Sequence, residues 1–165
     1  MAHVDYSNTS STATLTHRAA GVVQAGATRL VPFQNTVTLD TANIDNADDS
    51  WSLFAFPSNA ILDLDSLVVG ITDVDTNGTP TLDVDYGIGD GDGTIDTNLI
   101  NSSTAGQSAA VERVDDSYLA SNGRFLDVGG KYFEGNVAVA AATAASGTIR
   151  VSGWYLDSVD IYTAT

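Results

Sequence analysis

The chain has 165 residues and no cysteine, and its 19 Asp and 2 Glu against 5 Arg and 1 Lys give a formal net charge of −15. A chain of this length forms one domain and buries a core without staples. The missing cysteine excludes disulfides, thiolate metal sites and cysteine nucleophiles. The charge excludes nucleic acid and an anionic bilayer as partners, since both would be repelled, and leaves cations or a basic protein surface.

Residues 1–27 are rich in Ser, Thr, Ala and Gly, and His17 and Arg18 are their charge cluster. They read as an extended N-terminal arm, either ordered against a partner or a loose terminus. No basic, apolar leader opens the chain, so synthesis in a cytoplasm without a cleaved export signal is expected. No apolar run approaches the ~20 residues that cross a bilayer. The remainder, 28–165, reads as a single domain.

From Leu30 the pattern is strand and turn. Val31 to Phe33 and Thr36 to Leu39 alternate, and residues 45–50 form an Asn/Asp/Ser turn. Trp51 to Phe56 is an aromatic strand that stops at Pro57. Residues 61–72 form a long strand. Leu62 and Leu64 lie on one face and Asp63 and Asp65 on the other, and Leu67 to Ile71 is expected to be buried on both faces. Asn77-Gly78 predicts a tight hairpin. Leu82, Val84 and Tyr86 point inward from the next strand. Residues 90–93 form a Gly/Asp loop, and 94–101 read as a short helical turn capped by Thr94 or Asp96. A strand is expected near residues 110–114. Residues 131–141 are strand-like, 145–147 predict a second hairpin turn, and 148–156 form the last long strand. No segment carries a sustained helical stripe. About eight strands at short spacing predict an all-β antiparallel β-sandwich, jelly-roll-like, with an extended N-terminal arm.

Chemistry has few places to reside. Asp90, Asp92 and Asp96 stand at i, i+2 and i+6 with glycines between them. That spacing lets the 87–96 loop fold carboxylates around Ca²⁺, or serve only as an acidic surface loop. Asp73, Asp75, Asp45, Asp48 and Asp49 fit turn chemistry. The histidines are His3 and His17, both in the arm, where a general base is poorly preorganised. No zinc pattern and no phosphate loop occurs. No catalytic residue is assigned. Trp51 and Trp154 offer either a sugar-stacking platform or core and interface packing. Each of the five Arg residues is expected to pair with Asp or to lie in an interface, and His17, Arg18 and Arg29 are the candidate contacts to a neighbouring subunit.

Residues 49–54 (Asp-Ser-Trp-Ser-Leu-Phe), 57–63 (Pro-Ser-Asn-Ala-Ile-Leu-Asp), 82–87 (Leu-Asp-Val-Asp-Tyr-Gly) and the turn at 145–151 carry a resemblance. Over residues 35–157 the chain resembles capsid decoration or cement proteins of tailed phages and archaeal viruses. The resemblance implies a β-sandwich or jelly-roll module, commonly a homotrimer at three-fold lattice positions. It implies a virion protein on the outer capsid surface, made in the host cytoplasm and bound to the major capsid protein. It implies no functional side chain and no required cofactor. The alternatives are a Ca²⁺-dependent module for carbohydrate or a host surface, and a head-fibre or connector component.

Overall fold

The computed structural model describes residues 3–5 and 29–157. Ten strands form: β1 (His3–Asp5), β2 (Arg29–Leu39), β3 (Ser50–Ala55), β4 (Ala60–Ile71), β5 (Asp83–Gly89), β6 (Ile95–Ser103), β7 (Val111–Arg113), β8 (Phe125–Asp127), β9 (Tyr132–Val139) and β10 (Gly147–Asp157). Among the described residues one α-helix, α1 (Asp116–Asn122), and two single-turn 3-10 helices (Thr41–Asn43 and Ala105–Gln107) interrupt them. The first sheet has the order β1-β3-β9-β5-β6 and the second β2-β10-β4-β7, with β8 also on β4. Setting β1 aside, 3-9-5-6 faces 2-10-4-7. This is the jelly-roll order, in which the chain crosses between sheets at almost every step. The expected fold class is therefore observed.

Alternation explains which faces are buried. On β2, Val31, Phe33, Val37 and Leu39 are buried, while Gln34, Thr36 and Thr38 are exposed. On β10, Ile149, Val151 and Tyr155 point inward against them. Aromatic rings join the two sheets. Phe33 of β2 lies 5.5 Å from Phe54 of β3, Phe54 stacks on Phe133 of β9 at 5.8 Å, and Phe133 stacks on Tyr86 of β5 at 6.3 Å. Trp51, fully buried, packs beside Gly135 in the same layer. Burying rings of this size supplies a large part of the apolar driving force.

Several expectations are corrected. The two turn signals do not close hairpins. β4 and β5 lie in different sheets, and so do β9 and β10. Asn77 does make a local turn, its Oδ1 accepting the Thr79 N–H at 2.9 Å, but the chain then passes to the other sheet. Residues 95–103 are strand β6, not a helical turn. Its pairing with β5 shifts register three times, and that erases the two-residue period. Residues 67–71 are not buried on both faces, because Val68 and Gly70 are half-buried on the outer side. β8 and α1 were not foreseen. Of the arm, His3–Asp5 runs parallel to β3 in the chain's own sheet, and residues 6–28 lie outside the described residues.

Candidate functional surfaces

The Gly/Asp loop sits at one end of the first sheet, joining β5 to β6. Gly91 (φ 92°) and Gly93 (φ 86°) hold left-handed conformations that side chains disfavour. The three carboxylates singled out by spacing do not converge. The Lys131 ammonium, just before β9, contacts Asp90 and lies 3.3 Å from Asp96. Asp92 turns back on the loop, its Oδ1 accepting the Thr94 N–H at 2.8 Å. Among the described residues no three acidic or histidine side chains stand together as a metal site. The cation between Asp90 and Asp96 is thus the chain's own lysine, 35 residues away in sequence and invisible to a spacing argument.

Beneath this loop lies a group that spacing missed. Glu134 of β9 is fully buried. Its Oε1 accepts the Ser52 hydroxyl at 2.7 Å and the Gly93 N–H at 3.2 Å, while Oε2 has no hydrogen-bond partner among the described residues. Burial pushes its carboxyl above the ordinary glutamate value, against the pull of these donors and of the Gly91 N–H, and Asp92 adds to the rise. Oε2 and the Thr94 carbonyl oxygen both lie within 2.2 Å of the point where a Cβ on Gly89 would sit. A proton on Oε2 has that carbonyl as its neighbour. Only glycine leaves this room.

Beside the loop a cleft of about 360 Å³ opens on the outer face of the first sheet, lined by Asp48, Ser50, Asp85, Asp92, Asn98 and Asn136. Ser50, Asn136 and Asp85 form one row across β3, β9 and β5. The cleft is acidic and polar, with Asp48, Asp85 and Asp92 in its lining and no lysine or arginine among the described residues that line it.

Asp75 anchors the opposite end. Its carboxylate accepts four short bonds from the backbone N–H groups of Thr81 (2.7 Å), Leu82 (3.0 Å), Ala142 (3.0 Å) and Thr143 (2.9 Å), and a longer one from Asn77 (3.4 Å). It thereby ties the β4–β5 connection to the β9–β10 connection. Burial raises its pKa, but the four donors outweigh burial and bring it down to about 2. Turn chemistry is therefore the right account of Asp75, on a larger scale than its own turn.

The two tryptophans part company. Trp51 is core, so it cannot stack a sugar, whereas Trp154 is 42% exposed on the outer face of the second sheet. Arg124 pairs with Asp63 as expected, Nε and Nη2 each 2.7 Å from a carboxylate oxygen. Arg150 instead donates to the Gln34 side chain. Arg29 opens β2 opposite Asp157. His17 and Arg18 lie outside the described residues.

Comparison with known proteins agrees with the resemblance read from the strands. The chain is similar to a chain of the cyanophage Pam1 capsid asymmetric unit, with 25% identity and a TM-score of 0.59 over 84% of this chain and 92% of that one. It is similar to a chain of the capsid of Ralstonia phage GP4, with 25% identity and a TM-score of 0.59 over 87% of this chain and 93% of that one. No protein-family model and no curated protein matches the sequence.

Proposed function

We propose that this chain is a structural protein of a virion that decorates and reinforces the outer surface of the capsid. The carrying observation is the likeness, over more than nine-tenths of their length, to capsid chains of two phages. Those chains are about this chain's own size, so the likeness is to a whole small capsid component. Charge favours the outer surface. A protein at −15 turned toward packaged nucleic acid would face phosphate repulsion. On the outside the same charge keeps the free subunit soluble and steers it to a basic patch of the major capsid protein. Many weak contacts repeated over a lattice gain avidity, and a homotrimer multiplies them further. Neither catalysis nor a cofactor is part of this reading, and membrane is not a partner.

Purified virions test it. The chain should co-purify with intact particles at a copy number comparable to the major capsid protein, and external protease should remove it before the particle opens. Absence from washed virions would refute the proposal. Light scattering of the free chain tests the trimer. Melting with and without millimolar Ca²⁺ tests the 87–96 loop, and no rise is expected because the Lys131 ammonium already occupies the space between Asp90 and Asp96.

A further inference from the structure

The outer face of the second sheet carries an apolar patch that the register builds from four strands. One row is Leu30, Leu156 and Ile61, ending in Asp127, across β2, β10, β4 and β8. The next row is Pro32, Trp154, Asp63 and Phe125. Residues directly opposite on paired strands share a face, so both rows point away from the core. Leu30 is 46% exposed, Phe125 52% and Trp154 42%, and Pro32, Ile61 and Leu156 are half-buried around them. Three strand spacings make the patch roughly 15 Å wide. A contiguous apolar patch with a polar rim marks an interaction site.

The charges in and around it define the partner. Asp63, nearly buried beneath the patch, is neutralised by the bidentate Arg124, whose guanidinium also lies 5.4 Å from the centre of the Phe125 ring. Asp63 at the centre is thus charge-compensated. Asp65, 3.4 Å from the Arg124 Nε that already serves Asp63, and Asp127 are exposed at the edge, so the edge keeps a net negative charge, and the whole chain carries −15. A second copy would bring the same acidic rim and the same net charge against it. A protein surface with an apolar centre and Lys or Arg around it would be complementary.

We propose that this face, centred on Trp154 and Phe125, docks the chain onto a basic-rimmed apolar surface of the capsid shell. This rests on the decoration reading above and names the surface it uses. Trp154 and Phe125 are the anchors, since exposed aromatics held on a sheet lose little freedom on binding and dominate such contacts. Asp65 and Asp127 set the approach.

The test uses shells purified without this chain, to which purified wild-type or variant full-length chain is added back and occupancy is read by mass spectrometry. Trp154→Thr with Phe125→Ser should weaken binding roughly tenfold or more, with melting temperature and solution mass unchanged. Asp65→Asn with Asp127→Asn should weaken it less and flatten its dependence on salt. Should the aromatic double variant fold poorly, Trp154→Thr alone carries the same expectation, with a smaller loss. Wild-type binding with an unimpaired aromatic variant would overturn the docking face and leave decoration standing. So would a change in solution mass on removing the aromatics, since the patch would then join copies of the chain. Wild-type chain that never binds shells would overturn both.

Discussion

Two buried carboxylates behave in opposite ways because their hydrogen-bond partners differ. Four short backbone hydrogen bonds from two connections bring the pKa of Asp75 down to about 2. A carboxyl whose folded value lies below its unfolded value stabilises the fold above the unfolded pKa, and that support is lost as pH falls from about 4 toward 2. The shift corresponds to roughly 2 kcal/mol. Asp75→Asn places amide donors against backbone donors and should cost about 3 kcal/mol, seen as a melting temperature roughly 5–10 °C lower at neutral pH. The variant should also lose less of its remaining stability between pH 4 and pH 2, and an unchanged acid profile would show that Asp75 is not the titrating tie. Glu134 runs the other way. Its folded pKa is raised, so it favours the fold when protonated. Stability declines as pH rises above the unfolded value of about 4.3 and levels off once pH passes the folded one. Glu134→Gln keeps an acceptor for Ser52 and sets an amide donor near the Thr94 carbonyl. Melting at pH 7 should therefore match or exceed wild type, and the slope between pH 4 and pH 7 should flatten. A clear loss of stability at pH 7 would mean that the ionised carboxylate is needed.

At the level of the elements, the strands with one buried face were legible and their partners were not. β2, β4, β5 and β10 were visible because one side is apolar and the other wet, as in Leu82, Val84 and Tyr86. β6 was misread because its bulges break the alternation and because Ser102 (φ 52°) twists its end. The turn at Asn77-Gly78 was correctly seen as a turn, but turn chemistry is local and does not say which sheet the chain enters next. The place of Lys131 between Asp90 and Asp96 was invisible for the same reason, since it comes from a distant point of the chain, just before β9. The exposed rows of the second sheet were half legible. Trp154 was singled out, but Phe125 joins it only through β8, a three-residue strand without a pattern of its own. Close approach between strands leaves its own test. A Cβ on Gly135 of β9 would sit 2.5 Å from the Trp51 indole nitrogen, whereas one on Gly78 would meet nothing within 4 Å among the described residues. Gly135→Ala should cost on the order of 1–3 kcal/mol through overpacking, and Gly78→Ala should leave the denaturation midpoint close to wild type. Equal midpoints for the two would show that β9 and Trp51 are less tightly registered than described.

The whole molecule is governed by a charge of −15 on 165 residues with only six basic side chains. Like charges spread over a small sandwich repel one another, and that repulsion opposes compactness. Raising ionic strength from about 0.01 M to 0.15 M shortens the screening length from roughly 30 Å to 8 Å, so the free chain should melt higher in salt. The four-donor cage of Asp75 and the Asp63–Arg124 pair, both short-range and at least partly buried, are screened far less and should not reverse this trend. Attachment to a basic shell surface responds with the opposite sign, because salt screens the attraction that brings the two together. Stability of the free chain and occupancy on shells should therefore diverge as salt rises. Thermal melting and shell sedimentation over one salt series measure both. If occupancy rose with salt, the contact would be driven by apolar burial alone and the acidic surface would have no part in choosing the partner. If the melting temperature fell, short-range ion pairs would outweigh the repulsion, and the acidic surface would be a source of stability instead of a strain on it.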